Sequence, residues 1–370
     1  MKTSYALNDK GVFRLAKRED MPRKKAWMIR VLAVVFALIV CALVIVVITK
    51  QNPLQVYVGL VDGAVGNVRR TWQTIRETMI LLIVAVGLTP AFKMRFWNIG
   101  AEGQILVGGC ACAAVMIYCS DKMAGWLLMI VMVIVSCGAG MIWGLIPAFF
   151  KARLNTNETL FTLMLNYVAT QIVTFCIVYW ENPVGSNTVG IINSATKKGW
   201  LPQIGTSQAY VLIVVIVLAL TAFMSIYMSK SKQGYEIAVV GASQNTARYA
   251  GISVRKVILR TMAISGAICG LAGFLMVSGS SHTISTETAG GRGFTAIIIA
   301  WMAHFNAVSM IIVSLLIAFL QQGAIQIASQ FGLNDNASDV ITGILLFFLI
   351  GSEFFIQYKI EFHSAKKEVK

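Results

Sequence analysis

Residues 234–256 read Gly-Tyr-Glu-Ile-Ala-Val-Val-Gly-Ala-Ser-Gln-Asn-Thr-Ala-Arg-Tyr-Ala-Gly-Ile-Ser-Val-Arg-Lys. They form a polar loop inside a chain that is otherwise mostly apolar. A Ser243 hydroxyl can satisfy free backbone N–H groups at a helix start. Gly251 can end that helix in a left-handed conformation. Between them Gln244, Asn245, Thr246, Ala247, Arg248, Tyr249 and Ala250 predict a helix of about two turns. So short a helix is marginal alone in water. It needs a partner surface or packing on its own neighbours. A compact, capped helix between two apolar runs is a handle for another protein; an ordinary connecting loop is the plainer alternative.

Working outward, the 370 residues are 57% hydrophobic and 13% charged. Soluble domains carry about a quarter charged residues. The composition therefore excludes a large soluble core and predicts an all-α, polytopic membrane protein. About 20 apolar residues cross the hydrocarbon as helix. Roughly ten such segments can be drawn, near 27–49, 78–93, 102–119, 123–149, 159–180, 209–229, 258–279, 293–306, 308–329 and 337–357. The eighth is short, which suggests a broken or tilted helix. Residues 27–49 are too long for a signal-peptide core and lack a cleavage site, so they count as the first span.

The formal charge is +15, but the cations sit in the tails and between apolar runs, which argues against nucleic acid as a partner. With the N-terminus inside, 23 of the 31 Lys and Arg fall on inner segments and eight on outer ones. The positive-inside bias then places both termini and a 230–257 loop in the cytoplasm, and a 181–208 loop outside. The expected organisation is a basic tail at 1–26, a transmembrane domain at 27–358 and a second tail at 359–370. Seven cysteines lie in or beside apolar segments with no paired Cys-x-x-Cys, which reads as buried thiols. The three histidines are scattered. No metal site and no cofactor is expected.

Three polar features interrupt the apolar runs. Asn98-Ile99-Gly100-Ala101-Glu102-Gly103-Gln104 places a carboxylate and two amides among glycines at the start of the third span. An ionisable residue there is costly and suggests function; alternatively Glu102 sits at a helix N-terminus, where negative charge is favoured. Glu158, Thr162, Asn166 and Thr170 recur every four residues and share one helix face. Gln322, Gln326 and Gln330 repeat the pattern in the ninth span. Such faces avoid lipid and line either a solute path or interhelical hydrogen bonds. Asn98, Glu102, Gln104, Glu158, Thr162, Asn166, Gln322 and Gln326 are the candidate pathway or gate residues. Trp97, Tyr167 and Trp301 offer aromatic surface beside them. Gly266, Gly270 and Gly273 predict close helix packing in the seventh span. Arg292 and Glu287 read as solvated in an outer loop, with pairing to a docking protein the alternative.

No enzyme motif is present. A Gly-x4-Gly-Lys-Ser/Thr loop is absent, as is any Gly-Lys dipeptide, so the usual phosphate cradle is missing. Any ATP use belongs to another polypeptide.

These residues carry a resemblance. Phe96-Trp97-Asn98 to Gln104, Asn157-Glu158 running into Thr162-Leu163-Met164-Leu165-Asn166-Tyr167, Gly234-Tyr235 to Gly241, Asn245, Ala250-Gly251-Ile252, Ser265 to Gly273 and Gly293-Phe294-Thr295-Ala296-Ile297 occur in order. The chain resembles the ABC importer permeases of the branched-chain amino acid, ribose and nucleoside class, with a type II importer fold, over about 58–358. It is most like the larger permease of bacterial nucleoside importers. The 98–104 element separates it from the sugar permeases. The resemblance implies a bacterial cytoplasmic membrane location and a partner ATPase gripping 243–251 as a coupling helix. It also implies a second related permease or second copy, a substrate-binding lipoprotein and a small-molecule solute, with no catalysis by this chain. Two departures stand out: a long basic tail, and a bulky segment at 300–306. The competing expectations are a ribose or simple-sugar permease, an ion-driven carrier and a receptor-like membrane protein. The ion-driven carrier would need carboxylates nearer mid-span than Glu102 and Glu158.

Overall fold

A computed structural model describes residues 13–18, 21–49, 53–202, 210–332 and 335–362. The helices are α1 (Arg23–Thr49), α2 (Pro53–Val65), α3 (Val68–Lys93), α4 (Ala101–Cys119), α5 (Gly125–Leu154), α6 (Glu158–Trp180) and α7 (Val211–Lys230). Then come α8 (Lys232–Ala242), α9 (Gln244–Tyr249), α10 (Val254–Met276), α11 (Arg292–Met302), α12 (Ala307–Gln330) and α13 (Asp335–Gln357). A π-helical turn, Val277–Ser281, extends α10. Strands β1 (Phe13–Lys17) and β2 (Tyr358–Phe362) complete the order.

The chain divides into two compact units, residues 64–322 and residues 1–63 with 323–370. In the larger unit α3 and α10 are the central helices. α10 packs on α3, α4 and α5, and α3 also meets α7 and α11. Glycines make the α10 contacts possible: a Cβ on Gly266 would meet the carbonyl of Gly140, and one on Gly273 that of Ile105. Here the small-residue spacing of the seventh span acts as expected. The outer helices are apolar all round, and Ile134 and Ile142 on α5, or Phe223 and Ile226 on α7, stay exposed. A helix with apolar residues on every side suits lipid rather than water. Among the described residues seven helices are long and apolar enough to cross a membrane, and three shorter apolar helical stretches accompany them. This is a multi-pass membrane protein.

In the smaller unit α1 runs along α13, and the Arg30 guanidinium donates to Glu353 Oε1 at 2.6 and 2.8 Å. Gly323 lets the end of α12 approach Leu60 of α2.

Several elements differ from the sequence expectation. The second span begins at Val68 rather than near 78, because the Asn67 side chain accepts the Arg70 N–H at 2.9 Å and caps the helix there. Neither α2 nor α8 was foreseen. Pro53–Val65 is too short to span, and Lys232–Ala242 is masked by its polar neighbours. The chain is not wholly α-helical. β1 and β2 pair antiparallel, Phe13 opposite Phe362 and Lys17 opposite Tyr358. Tyr-Lys-Ile-Glu-Phe alternates with the period of a strand, whereas Phe-Arg-Leu-Ala-Lys alternates only over its first three residues. Residues 1–12 and 363–370 of the two tails, 203–208 of the 181–208 loop and residue 209 lie outside the described residues.

Candidate functional site

The opening stretch folds as two helices, not one. Ser231 caps α8 by accepting the Gly234 N–H at 2.9 Å. Ser243 caps α9 by accepting the Thr246 N–H at 3.2 Å, and Gly251 follows α9 with φ +75°. Gln244, Asn245, Thr246, Arg248, Tyr249 and Ala250 are exposed, Tyr249 at 94%. Ala247 is 0% exposed and locks α9 into an apolar cluster with Met94 and Phe96, Ala148 of α5, Ile237 and Val240 of α8, and Val257 and Met262 of α10. That packing supplies the neighbours a six-residue helix needs. The outer face of α9 is left free.

Two residues beyond Phe96 the chain enters a buried polar knot. After α3 it turns through Arg95, at φ +60°, and runs without regular structure to Gly100. Asn98 Nδ2 donates to Gln104 Oε1 and to Ser265 Oγ, both at 3.4 Å, and Asn98 Oδ1 accepts from Gln104 Nε2 at 3.3 Å and from the Gly100 N–H at 3.0 Å. From α6, Thr162 Oγ1 accepts the Ile99 N–H at 3.2 Å. Asn166 Oδ1 accepts the Gly103 N–H at 2.9 Å, while its Nδ2 donates to the Ile99 carbonyl at 3.0 Å. All five side chains are buried. The knot ties the 94–100 segment to α4, α6 and α10 at Ser265, roughly 16 Å along α10 from its start. Burial is tolerated because the amides are paired.

This arrangement yields a prediction. Asn166→Ala leaves the Gly103 N–H and the Ile99 carbonyl without partners. It should cost about 2 kcal/mol, read as a lowered unfolding midpoint in detergent, whereas Thr170→Ala should change little.

Glu102 makes a different contact. α11 has eleven residues, a length of about 16 Å, half a bilayer core. Its first N–H groups point at Glu102: Oε1 accepts from Gly291 at 2.6 Å and Oε2 from Gly293 at 2.7 Å. The carboxylate thus stabilises the positive end of a half-helix 189 residues away in sequence. Gly291 has φ +74°, and a Cβ on Gly293 would sit 2.7 Å from Glu102 Oε2, so glycine is required at both. Arg292 is not solvated. Its Nε donates to Glu77 Oε2 on α3 at 2.8 Å, and Arg76 Nη2 donates to Glu77 Oε1 at 2.8 Å. The 282–291 segment folds inward, carrying Arg292 with it. Glu77 escaped notice because the polar first half of α3 read as an outer loop.

The other candidates stand apart from the knot. Glu158 opens α6 and pairs with Lys151 Nζ at 2.8 Å. Gln322 and Gln326 are half-buried on α12. Tyr167 lies on the exposed side of α6. Trp97 and Trp301 stack on each other, centroids 5.4 Å apart and planes 18° from parallel, with Phe92 and Phe305 against them. The two indoles remain 46% and 43% exposed, presenting flat aromatic surface beside the polar knot. Among the described residues no cluster of His, Cys, Asp or Glu is arranged to hold a metal.

A family model described as the permease component of the branched-chain amino acid transport system matches residues 71–350. The chain belongs to that family. The permease is 29% identical to the guanosine ABC transporter permease protein NupP of Bacillus subtilis, over 93% of this chain and 97% of that one. It is 28% identical to the glucose ABC transporter permease protein TsgB13 of Haloferax volcanii, over 94% and 93%. It is 26% identical to the nucleoside ABC transporter permease protein NupB of Lactococcus lactis, over 87% and 90%. The chain is therefore an ABC transporter permease subunit, a non-catalytic transport component that works with an ATPase partner. The 98–104 element singled out in the sequence is the segment that forms the polar knot.

Proposed function

We propose that this permease carries nucleosides inward across the bacterial cytoplasmic membrane. The observation that carries the reading is the similarity, over most of both chains, to NupP and NupB, whose names specify guanosine and nucleoside. The Trp97–Trp301 surface supports it, since flat aromatic rings suit a nucleobase. A simple-sugar substrate is the second reading, favoured by the comparable similarity to TsgB13. In this proposal the chain has ten spans, with the eighth broken at α11, and both termini and the 230–257 loop are cytoplasmic. The transmembrane body is 27–358. A second related permease or second copy completes the pore, and an extracytoplasmic lipoprotein delivers the solute.

The coupling role falls to α9. ATP can shift access only by binding one state of the assembly better than the other. The ATPase would move α9, and Ala247 would pass that motion to Met94, Phe96 and Met262. The same strands of chain continue into Asn98 and Ser265, so the apolar cluster and the polar knot move as one body. Asn98, Gln104, Thr162 and Asn166 then act as the frame of the gate. Glu102 holds α11, Glu158 fixes the start of α6, and Gln322 and Gln326 line the path on α12.

The test is uptake by the reconstituted assembly. ATP-dependent entry of labelled guanosine, undiminished by excess ribose or glucose, is expected. Entry of the sugar instead establishes the second reading. Entry driven by an ion gradient without ATP sinks the coupling scheme. Tyr249→Asp, which changes only an exposed ring on α9, should weaken ATPase binding about tenfold, as loss of an interface tyrosine does.

A further inference from the structure

A cavity of about 520 Å3 opens between the end of α5 and the α9–α10 turn. Lys151, Arg153, Asn155, Gln244, Arg248 and Arg255 line it, and no aspartate or glutamate does. Lys151 is engaged by Glu158 at 2.8 Å. Arg153 lies over the Phe149 ring at 5.0 Å, which orients the guanidinium without neutralising it. Arg153, Arg248 and Arg255 are exposed, and none forms an ion pair among the described residues.

Three unneutralised guanidiniums around one notch repel each other. Their planar forks match carboxylates in geometry as well as charge. The notch is also continuous with α9: Gln244 and Arg248 belong to that helix, and Arg255 lies in the first turn of the next. A protein that grips α9 necessarily covers it. We propose that the notch receives carboxylate side chains of the ATPase subunit, an electrostatic latch beside the coupling helix that selects the matching ATPase. The inference rests on the reading of α9 as the ATPase contact.

The test uses the whole permease chain in nanodiscs and the purified ATPase subunit of its assembly, with association followed by biolayer interferometry. Arg153→Gln/Arg255→Glu leaves α9 untouched, and a glutamate in the first turn of α10 suits that helix end. Charges at an interface rim act mainly on association rate and its salt dependence. The double variant should associate about tenfold more slowly than wild type at low salt. The difference should vanish near 1 M salt, where charges are screened beyond about 3 Å. An unchanged rate and salt dependence overturns the latch. So does a difference seen in phosphatidylglycerol nanodiscs but absent in phosphatidylcholine, which makes lipid headgroups the occupant. If Tyr249→Asp binds as wild type, the reading of α9 fails and the latch falls with it. If Tyr249→Asp is impaired while the arginine pair behaves as wild type, the latch alone is wrong.

Discussion

Gly270→Leu is expected to abolish the folded permease. α4, α5 and α10 meet backbone to backbone, and Gly270 is at the crossing. A Cβ there would press on the carbonyl of Ser136 and lie 3.1 Å from Gly140 Cα. Gly108 faces the same spot from α4, where its own Cβ would come within 2.5 Å of Gly270 Cα. Backbone cannot rotate aside as a flexible side chain can. Overpacking a core with added carbons costs about 1–3 kcal/mol even where side chains adjust. With main chain on two sides, the cost here should reach the top of that range or exceed it, a large part of a typical stability of about 5–15 kcal/mol. Gel filtration of a fluorescent fusion in mild detergent is the measurement. The variant should lose the monodisperse peak. Gly138→Leu, on the neighbouring helix α5 but with open space around it, should keep it. A normal peak for Gly270→Leu would mean the three helices do not approach as described.

That crossing was legible in the sequence because Gly266, Gly270 and Gly273 repeat at helical spacing. So were the α9 caps, since Ser243 and Gly251 act on backbone within three residues of themselves. The polar knot was half legible. Asn98, Gln104, Thr162 and Asn166 were picked out, with a solute path and interhelical hydrogen bonds both left open, because nothing local says that Asn166 reaches the Ile99 carbonyl. The partners of Glu102 were not legible at all. Glycines at 291 and 293 look like any turn until the chain folds them onto a carboxylate near residue 100. The same holds for Glu77 and Arg292, each of which reads as solvent-facing when taken alone. Pairings across more than a hundred residues leave no periodic trace in either segment. The alternation in β2 did leave one, but five residues in an otherwise basic tail were too few to outweigh the surrounding charge.

Glu102→Gln is expected to reduce uptake at least about a hundredfold, equivalent to about 2.7 kcal/mol. Each Glu102 oxygen accepts one N–H from the α11 end. Glutamine keeps one acceptor and turns an NH2 group toward the other donor, so one hydrogen bond becomes a repulsion. Hydrogen bonds to a charged group are worth about 1.5–3 kcal/mol each, and the charge at the helix end adds up to about 2 kcal/mol in a partly buried setting. The isosteric change therefore loses more than it preserves. Glu102→Ala should be no milder, and Glu102→Asp is too short to reach both glycines. If Glu102 served instead as a proton carrier or touched the solute, glutamine would imitate its neutral form and retain binding. Two readouts separate these roles. A positioning role predicts faster hydrogen exchange at residues 291–295 and a fall in maximal uptake rate at nearly constant KM. A solute contact predicts a raised KM with α11 as protected as before. The Glu77–Arg292 pair gives an independent handle on the same helix end, because Arg292 lies between the two glycines that Glu102 holds. Glu77→Gln should therefore loosen exchange over the same five residues while leaving the Glu102 carboxylate in place. Loosening there without any loss of uptake would show that α11 does not need to be held for transport, and would remove Glu102 from the gate.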